Sequence, residues 1–283
     1  MDGRAGAGKR DRLQRRALPK IVNSMTWRWL GAAVLVAAAS AMEGRAPAAP
    51  PATGPATAPA PRLLILTGQN NHGWIQSTPV LQKIYEQAGF AVTVTQTPWD
   101  LKPADLANYD VLVSNWNTFG AKEKKPTWDD GMKQAFIRFI EGGGGFVVVH
   151  AGGSFFYDWP EFQKLIGATW GAGTFHPAVQ PYTVEAADKE HPITRDMKPF
   201  EIKDEPWQSM KVNNPQMRIL ATATIPRDKK GTGKPEPMAM AIEYAKGRCF
   251  NLVLGHTFAN DANPGFVWLL TRGTRWAATG DVK

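Results

Sequence analysis

The sequence has a single cysteine, Cys249, so an internal disulfide is excluded. That residue begins a predicted strand, CFNLVL, and we expect its thiol to belong to the core. The sequence also contains no GxGxxG, Walker-type loop, HExxH or CxxC. Without these local signatures of dinucleotide, nucleotide, zinc-protease or redox sites, any active site must be assembled from residues that lie far apart in the chain.

No apolar run in the sequence is long enough to span a membrane. The run LGAAVLVAAASAM at 30–42 falls short of the roughly 20 residues that a spanning helix needs. It follows a basic segment and contains the small-residue pattern Ala39-Ser40-Ala41, which together predict a secretory signal over residues 1–42. An uncleaved N-terminal anchor is the alternative. We therefore expect a periplasmic or secreted protein with no membrane span after signal cleavage.

Residues 43–61, EGRAPAAPPATGPATAPAP, have too little apolar bulk to fold and predict an extended linker. The folded domain is therefore expected at residues 62–283. It has almost no charge imbalance, because residues 1–61 carry nine basic and three acidic side chains and residues 62–283 carry 24 and 22. A nucleic-acid partner is not expected, since that would require a basic face on the folded domain.

Strand and helix patterns alternate between residues 62 and 149. Runs at 62–67, 90–95, 109–114 and 145–149 predict strands, and helical spacing of apolar residues predicts helices at 78–88 and 128–141. This alternation predicts an α/β fold with a doubly wound, mostly parallel, flavodoxin-like sheet and helices on both faces. The second half is less regular: strands are predicted at 178–186, 218–224, 238–244 and 249–254, and helices at 160–166 and 264–276.

Three of the five histidines follow or end predicted strands. His72 lies in the loop GQNNHGW, His150 ends the strand FVVV, and His256 follows NLVLG. In a parallel sheet, loops at the carboxyl ends of strands meet at one edge, where ligands bind. His150 is followed by AGG, which suits the sharp strand-to-helix turn that carries the nucleophile of many hydrolases. An imidazole in that position is a base or a ligand rather than a nucleophile.

The sequence offers further candidate site residues. Asp204 and Glu205 offer a carboxylate that orients a histidine or acts as a general base. His176 follows a flexible Gly-Ala-Gly segment and is a site candidate, whereas His191 is expected to be structural. Several aromatic residues in the same loops suit stacking against sugar rings or ordinary packing: Trp74, Trp116 and Phe156. The histidines have no local metal-ligand spacing, so no cofactor is predicted and a divalent metal is left open.

The motifs GQNNHGW, VVVHAGGSFFYDW, KDEPW and KGRCFNLVLGH resemble those of the ThuA-like (trehalose utilisation) family of the class I glutamine amidotransferase-like superfamily. They occur in family order from about Arg62 to Gly280. The resemblance implies a glutamine amidotransferase-like fold, in which a cysteine nucleophile occupies the elbow. Here His150 stands at that position and Cys249 lies in a strand, which argues against amide hydrolysis through a thiol.

The resemblance further implies a role in carbohydrate metabolism, on trehalose, related disaccharides or their keto derivatives. It implies a pocket lined by five residues: His72, His150, His176, Glu205 and His256. In the family motif the acidic pair is central, so the resemblance implies that either Asp204 or Glu205 faces the pocket.

We therefore expect an exported enzyme that acts on a small carbohydrate. In this hypothesis His150 and His256 are acid/base or ligand groups, assisted by Glu205 or Asp204, and His72 and His176 bind substrate. The alternatives are a non-catalytic carbohydrate-binding domain and a metal-dependent hydrolase with histidine ligands. The sequence leaves the substrate, the exact reaction and a homo-oligomer open.

Overall fold

The computed structural model describes residues 59–119, 127–256 and 263–283. The predicted signal at 1–42 and nearly all of the predicted linker at 43–61 lie outside the described residues. Among the residues that are described, no helix is both long and apolar enough to cross a membrane.

The described chain forms four α-helices, a nine-stranded sheet and a separate two-stranded sheet. The strands are β1 Arg62–Leu66, β2 Ala91–Thr95, β3 Val111–Ser114, β4 Gly145–Val149, β5 Ala168–Thr169, β6 Gln180–Ala186, β7 Phe200–Asp204, β8 Lys211–Val212, β9 Arg218–Thr224, β10 Pro235–Tyr244 and β11 Gly247–Leu252. The helices are α1 Trp74–Gln87, α2 Asp130–Glu141, α3 Pro160–Ile166 and α4 Pro264–Thr279.

The large sheet has two halves of different character. Its order is β2-β1-β3-β4-β11-β10-β9-β6-β7, and the pairs from β2 to β11 are parallel. The pairs from β11 to β7 are antiparallel, beginning with the β10–β11 hairpin. The predicted α/β fold is confirmed, and the less regular second half of the sequence extends the parallel sheet as an antiparallel one.

Helices cover both faces of the parallel half, as predicted, because its strands are apolar on both sides. Leu63 and Ile65 of β1 face one core cluster, which includes residues of α1 and α4. Leu64 and Leu66 of the same strand face the other cluster, which includes residues of α2 and α3. This alternation along a strand that is buried on both faces is typical of parallel sheets in α/β proteins.

Helix α1 begins at Trp74, four residues before the predicted start. Pro79, which lacks a backbone N–H and is common in the first turn of helices, lies in the second turn here. The early start shortens the loop after β1, so His72 lies only two residues before the helix. This fixes the position of His72 more tightly than a longer loop would.

His191 is buried in a different part of the fold. Its Nδ1 accepts a hydrogen bond from the backbone N–H of Ile193 at 3.2 Å, and its ring meets Trp276 of α4 edge-on with centroids 5.0 Å apart. Burial and the nearby Arg218 lower the pKa of His191, Asp188 opposes them, and the resulting pKa is about 4. These contacts agree with the structural role expected for His191.

This environment makes stability depend on pH. The histidine takes up a proton near pH 6.5 in the unfolded protein and only near pH 4 in the folded protein. The contribution of neutral His191 to the free energy of unfolding is therefore complete above pH 6.5 and is lost as the pH falls toward 4. The side-chain oxygen of Asn in His191→Asn can accept the same N–H, but it does not titrate. We therefore expect the free energy of unfolding to fall by about 1 to 2 kcal/mol less in this variant than in the wild type between pH 7 and pH 5. Urea unfolding at both pH values measures this difference, and equal losses in the two proteins would contradict it.

Candidate functional site

The turn after β4 places His150 at the end of the central parallel strands. Residues His150–Gly153 form a single 3₁₀ turn, and His150 has a φ of 47°, in the left-handed region that non-glycine residues seldom adopt. At Gly152 a Cβ would lie 2.0 Å from the carbonyl oxygen of Ser114, so only glycine fits there. The Ser114 hydroxyl donates to the Gly152 carbonyl at 2.8 Å, which fixes the turn against the end of β3.

The His150 ring is held by a hydrogen bond to another strand end. Its Nδ1 lies 2.6 Å from the carbonyl oxygen of Val253, just beyond β11. A carbonyl only accepts hydrogen bonds, so Nδ1 carries the proton and Nε2 is the ring nitrogen that faces the site. His150 Nε2 lies 3.3 Å from Glu205 Oε2, but is not aligned for a hydrogen bond and is buried without another partner among the described residues.

The carboxylate of Glu205 is the centre of the histidine cluster. Its Oε1 lies 3.1 Å from His176 Nδ1 and 3.6 Å from His256 Nε2. Its Oε2 accepts a hydrogen bond from the Trp207 indole N–H at 2.9 Å. One buried carboxylate therefore contacts three histidines that are 29 to 55 residues away from it in the sequence.

His72 completes the cluster. Its ring centroid lies 4.8 Å from that of His150 and 4.9 Å from that of His256, edge-to-face in both cases. His150 and His256 are themselves 5.4 Å apart between centroids. The three histidines that the sequence places at strand ends therefore lie together.

A network of asparagine side chains positions His72. Asn117 donates through Nδ2 to the side-chain oxygens of Asn70 and Asn71, at 2.7 and 2.9 Å, and to the Ala151 carbonyl at 2.9 Å. The Asn70 oxygen also accepts the His72 backbone N–H at 3.0 Å. These bonds connect the loop after β1 to the turn that carries His150.

The cluster combines an ionised carboxylate with histidines that resist protonation. Burial alone raises the pKa of Glu205, but His150, the Trp207 N–H and His256 outweigh it and bring that pKa to about 2. Burial, together with the neighbouring His150 and His256, lowers the pKa of His72 to about 4. Burial also lowers the pKa of His256. At neutral pH the site therefore offers a carboxylate next to the neutral imidazoles of His72 and His256.

Two adjoining cavities open at this cluster. One has a volume of about 210 Å³ and the other of about 100 Å³, and both are lined by His72 and Ala151. The larger also contacts His150 and His256, and the smaller contacts His176 and Glu205. The cluster thus faces space for a small molecule rather than solid protein.

Comparison with known proteins agrees with this architecture. The model of the ThuA family, described as trehalose utilisation, matches residues 62–277. The chain belongs to the ThuA family. A ThuA-like protein from Parabacteroides merdae is 27% identical, with a TM-score of 0.68 over 79% of this chain and 92% of the other.

Two further solved structures share the fold. A ThuA-like protein from Bacteroides uniformis is 20% identical, with a TM-score of 0.63 over 82% of this chain and 96% of that one. A cytoplasmic protein from Salmonella typhimurium is 13% identical, with a TM-score of 0.54 over 77% and 99%. No functionally curated protein matches the chain.

The two members of the acidic pair have different positions in this ThuA protein. Glu205 faces the histidines, whereas Asp204, at the end of β7, accepts the backbone N–H of Gly255 at 2.7 Å. Gly255 precedes His256, so Asp204 holds the segment that carries this histidine. Through this bond Asp204 positions the segment that carries His256, and a catalytic role for Asp204 stays a prediction.

Two of the predicted sugar-stacking residues are core residues instead. Trp116 is 1% exposed and packs against Phe155 with ring centroids 4.2 Å apart. Phe156 is also buried, next to Trp128. Both rings lie in the apolar cluster beneath α2, so neither of them lines a cavity next to the histidines. Trp74, at the start of α1, is not part of the lining that the described residues form around either cavity.

Other aromatic residues stand at the cavities in their place. Trp170, Trp207 and Phe119 line the smaller one. Trp207 packs against His150 with centroids 4.7 Å apart, and Trp170 against His176 at 5.6 Å. The sequence signal that marks Trp207 is its position two residues after Glu205, whereas Trp170 and the Asn117 network have no comparable signal.

The close packing at the His150 turn predicts a large cost for a small substitution. We expect Gly152→Ala to destabilise the protein by about 2 to 4 kcal/mol, because the new methyl group meets backbone at Ser114 rather than a movable side chain. Gly131→Ala is the matched control, since it adds the same group at an exposed position in the first turn of α2. Urea unfolding of both variants measures the costs, and a cost at Gly152 no larger than at Gly131 would contradict this view of the turn.

Proposed function

We propose that this ThuA protein is an exported enzyme of carbohydrate metabolism that acts on a disaccharide or keto-sugar through histidine acid/base chemistry. The observation that carries the proposal is the buried Glu205 carboxylate in contact with His150, His176 and His256 beside a cavity. The family description, trehalose utilisation, supports a sugar as the substrate class.

The cluster is layered in a way that suits proton transfer. The side chains of Glu205 and His150 are 9% and 4% exposed, whereas those of His256 and His176 are 26% and 42% exposed. The two outer imidazoles can therefore reach a bound sugar and accept a proton from a hydroxyl or from a carbon next to a carbonyl. The inner carboxylate stabilises the positive charge that then develops on the ring.

The surroundings of the cluster suit a sugar ring. Trp170 and the exposed Phe119 offer apolar faces, and the imidazoles of the cluster offer polar groups for hydroxyls. Apolar faces with a few oriented polar groups are typical of small-molecule sites. Export to the periplasm or beyond is part of the proposal on the basis of the signal pattern in residues 1–42.

A non-catalytic carbohydrate-binding domain is the second candidate. It is favoured by the residue at the elbow, because His150 occupies the position where related folds carry a cysteine. Cys249 does not replace that nucleophile: it is fully buried in β11, and burial raises the pKa of its thiol.

Turnover assays distinguish the two candidates. We expect the purified protein to convert a member of a panel of disaccharides and their keto derivatives. We expect Glu205→Gln, His150→Ala and His256→Ala to lower kcat/KM by about 100-fold or more, since positioned acid/base groups contribute rate factors of this size. His191→Asn, a buried histidine outside the site, should remain within about twofold of the wild type.

Two results would count against the enzyme. Activity equal to wild type in folded His150→Ala and His256→Ala proteins would contradict the assigned roles. Measurable sugar affinity without turnover of any panel member would favour the binding domain.

A further inference from the structure

We propose that His72, His150 and Glu205 form a binding site for a divalent metal ion of the zinc type. Within residues 59–119, 127–256 and 263–283, these three side chains offer one ligand atom each, and the three atoms lie within 4.8 Å of one another. Two imidazoles and one carboxylate are an established ligand set for catalytic zinc. The inference rests on the proposed function in one respect, since both assign activity to this cavity.

His150 is prepared as a ligand by its hydrogen bond to the Val253 carbonyl. Metal-binding histidines commonly donate the other ring N–H to a carbonyl or carboxylate, which fixes the tautomer and the orientation of the ring. Here the 2.6 Å contact of Nδ1 leaves the lone pair on Nε2. That atom is buried and makes no hydrogen bond with the described residues, which is costly for a polar atom unless something binds there.

His72 is prepared in the same way by the asparagine network. The Asn70 side-chain oxygen accepts the His72 backbone N–H, which identifies this atom as oxygen. The same oxygen lies 3.3 Å from His72 Nδ1, and that of Asn71 lies 3.2 Å away. Both are acceptors, so Nδ1 donates and Nε2 keeps the lone pair.

Glu205 supplies the negative charge. The Trp207 indole N–H donates to its Oε2 at 2.9 Å, which fixes the orientation of the carboxylate without neutralising it. Each of the three ligands is therefore oriented by a hydrogen bond: the two histidines donate to oxygen acceptors and Glu205 accepts from an indole N–H. Such supporting bonds separate a built site from a chance group of polar residues.

The three ligand atoms need to move only slightly closer together to bind one metal ion. Zinc bonds of about 2.0 to 2.2 Å place tetrahedral ligand atoms roughly 3.3 Å apart, so the most distant pair would move together by about 1.5 Å on binding. Three protein ligands leave a position open toward the cavity for water or a substrate oxygen. His176 and His256 remain outside the ligand set as the proton-transfer groups, which combines the acid/base proposal with the metal-dependent hydrolase predicted as an alternative.

Metal titration tests the inference without any sugar. The protein is purified without a histidine tag, treated with a chelator and titrated with Zn²⁺ by calorimetry and with Co²⁺ by visible absorption. We expect one equivalent of Zn²⁺ to bind, a d–d absorption band with Co²⁺ and a higher Tm in the presence of Zn²⁺. In Glu205→Gln and His72→Ala the Kd for Zn²⁺ should rise at least about tenfold.

The control is His191→Asn, which alters a buried histidine outside the cluster and should bind Zn²⁺ like the wild type. Circular dichroism establishes that each variant is folded. Less than about a tenth of an equivalent bound to folded wild-type protein would overturn the inference, as would wild-type affinity in both ligand variants.

The two proposals fail separately. Zinc binding without sugar turnover would support the metal site and count against the enzyme. Full turnover by chelator-treated protein that binds no Zn²⁺ would support the enzyme and overturn the metal site.

Discussion

The hydrogen bond from His150 Nδ1 to the Val253 carbonyl is the contact on which the site depends. It joins the ends of two parallel strands, β4 and β11, and it decides which ring nitrogen faces Glu205. The backbone of His150 is left-handed at this turn, and a Cβ at position 152 would lie 2.0 Å from the Ser114 carbonyl oxygen. Residues that take no part in any reaction thus determine the chemical state of the imidazole.

A buried carboxylate imposes the second constraint. Glu205 lies inside the protein, and an ion there must be compensated by donors or cations. The Trp207 N–H donates to the carboxylate, whose pKa is lowered to about 2, while burial lowers the pKa of His72 and His256. The same arrangement that satisfies Glu205 at rest makes the cluster receptive to a proton or a metal cation. The compensation of this buried charge and the proposed proton transfer and metal binding therefore have one electrostatic origin.

The sequence predicts the parallel half of the fold and the meeting of His72, His150 and His256, because both depend on local apolar runs and on strand direction. It does not predict the roles of Trp116 and Trp170. Both follow predicted elements and both are tryptophans, yet the first is buried beneath α2 and the second lies at a cavity. Which face of a loop an aromatic ring occupies depends on packing between distant segments. The choice between Asp204 and Glu205 is equally hidden, since it depends on where Gly255 lies.

The antiparallel half of the sheet supplies two residues of the site. The parallel strands alone bring together three histidines and no carboxylate. Glu205 follows β7, at the far edge of the antiparallel extension, and His176 precedes β6 in the same extension. Paired backbone hydrogen bonds between Phe175 and Gln208 hold His176 next to Trp207 and Glu205. The charge of the cluster and one of its exposed imidazoles thus come from strands added beside the parallel core. A chain with this parallel core but a different extension would keep His150 at the elbow and lose the carboxylate that faces it.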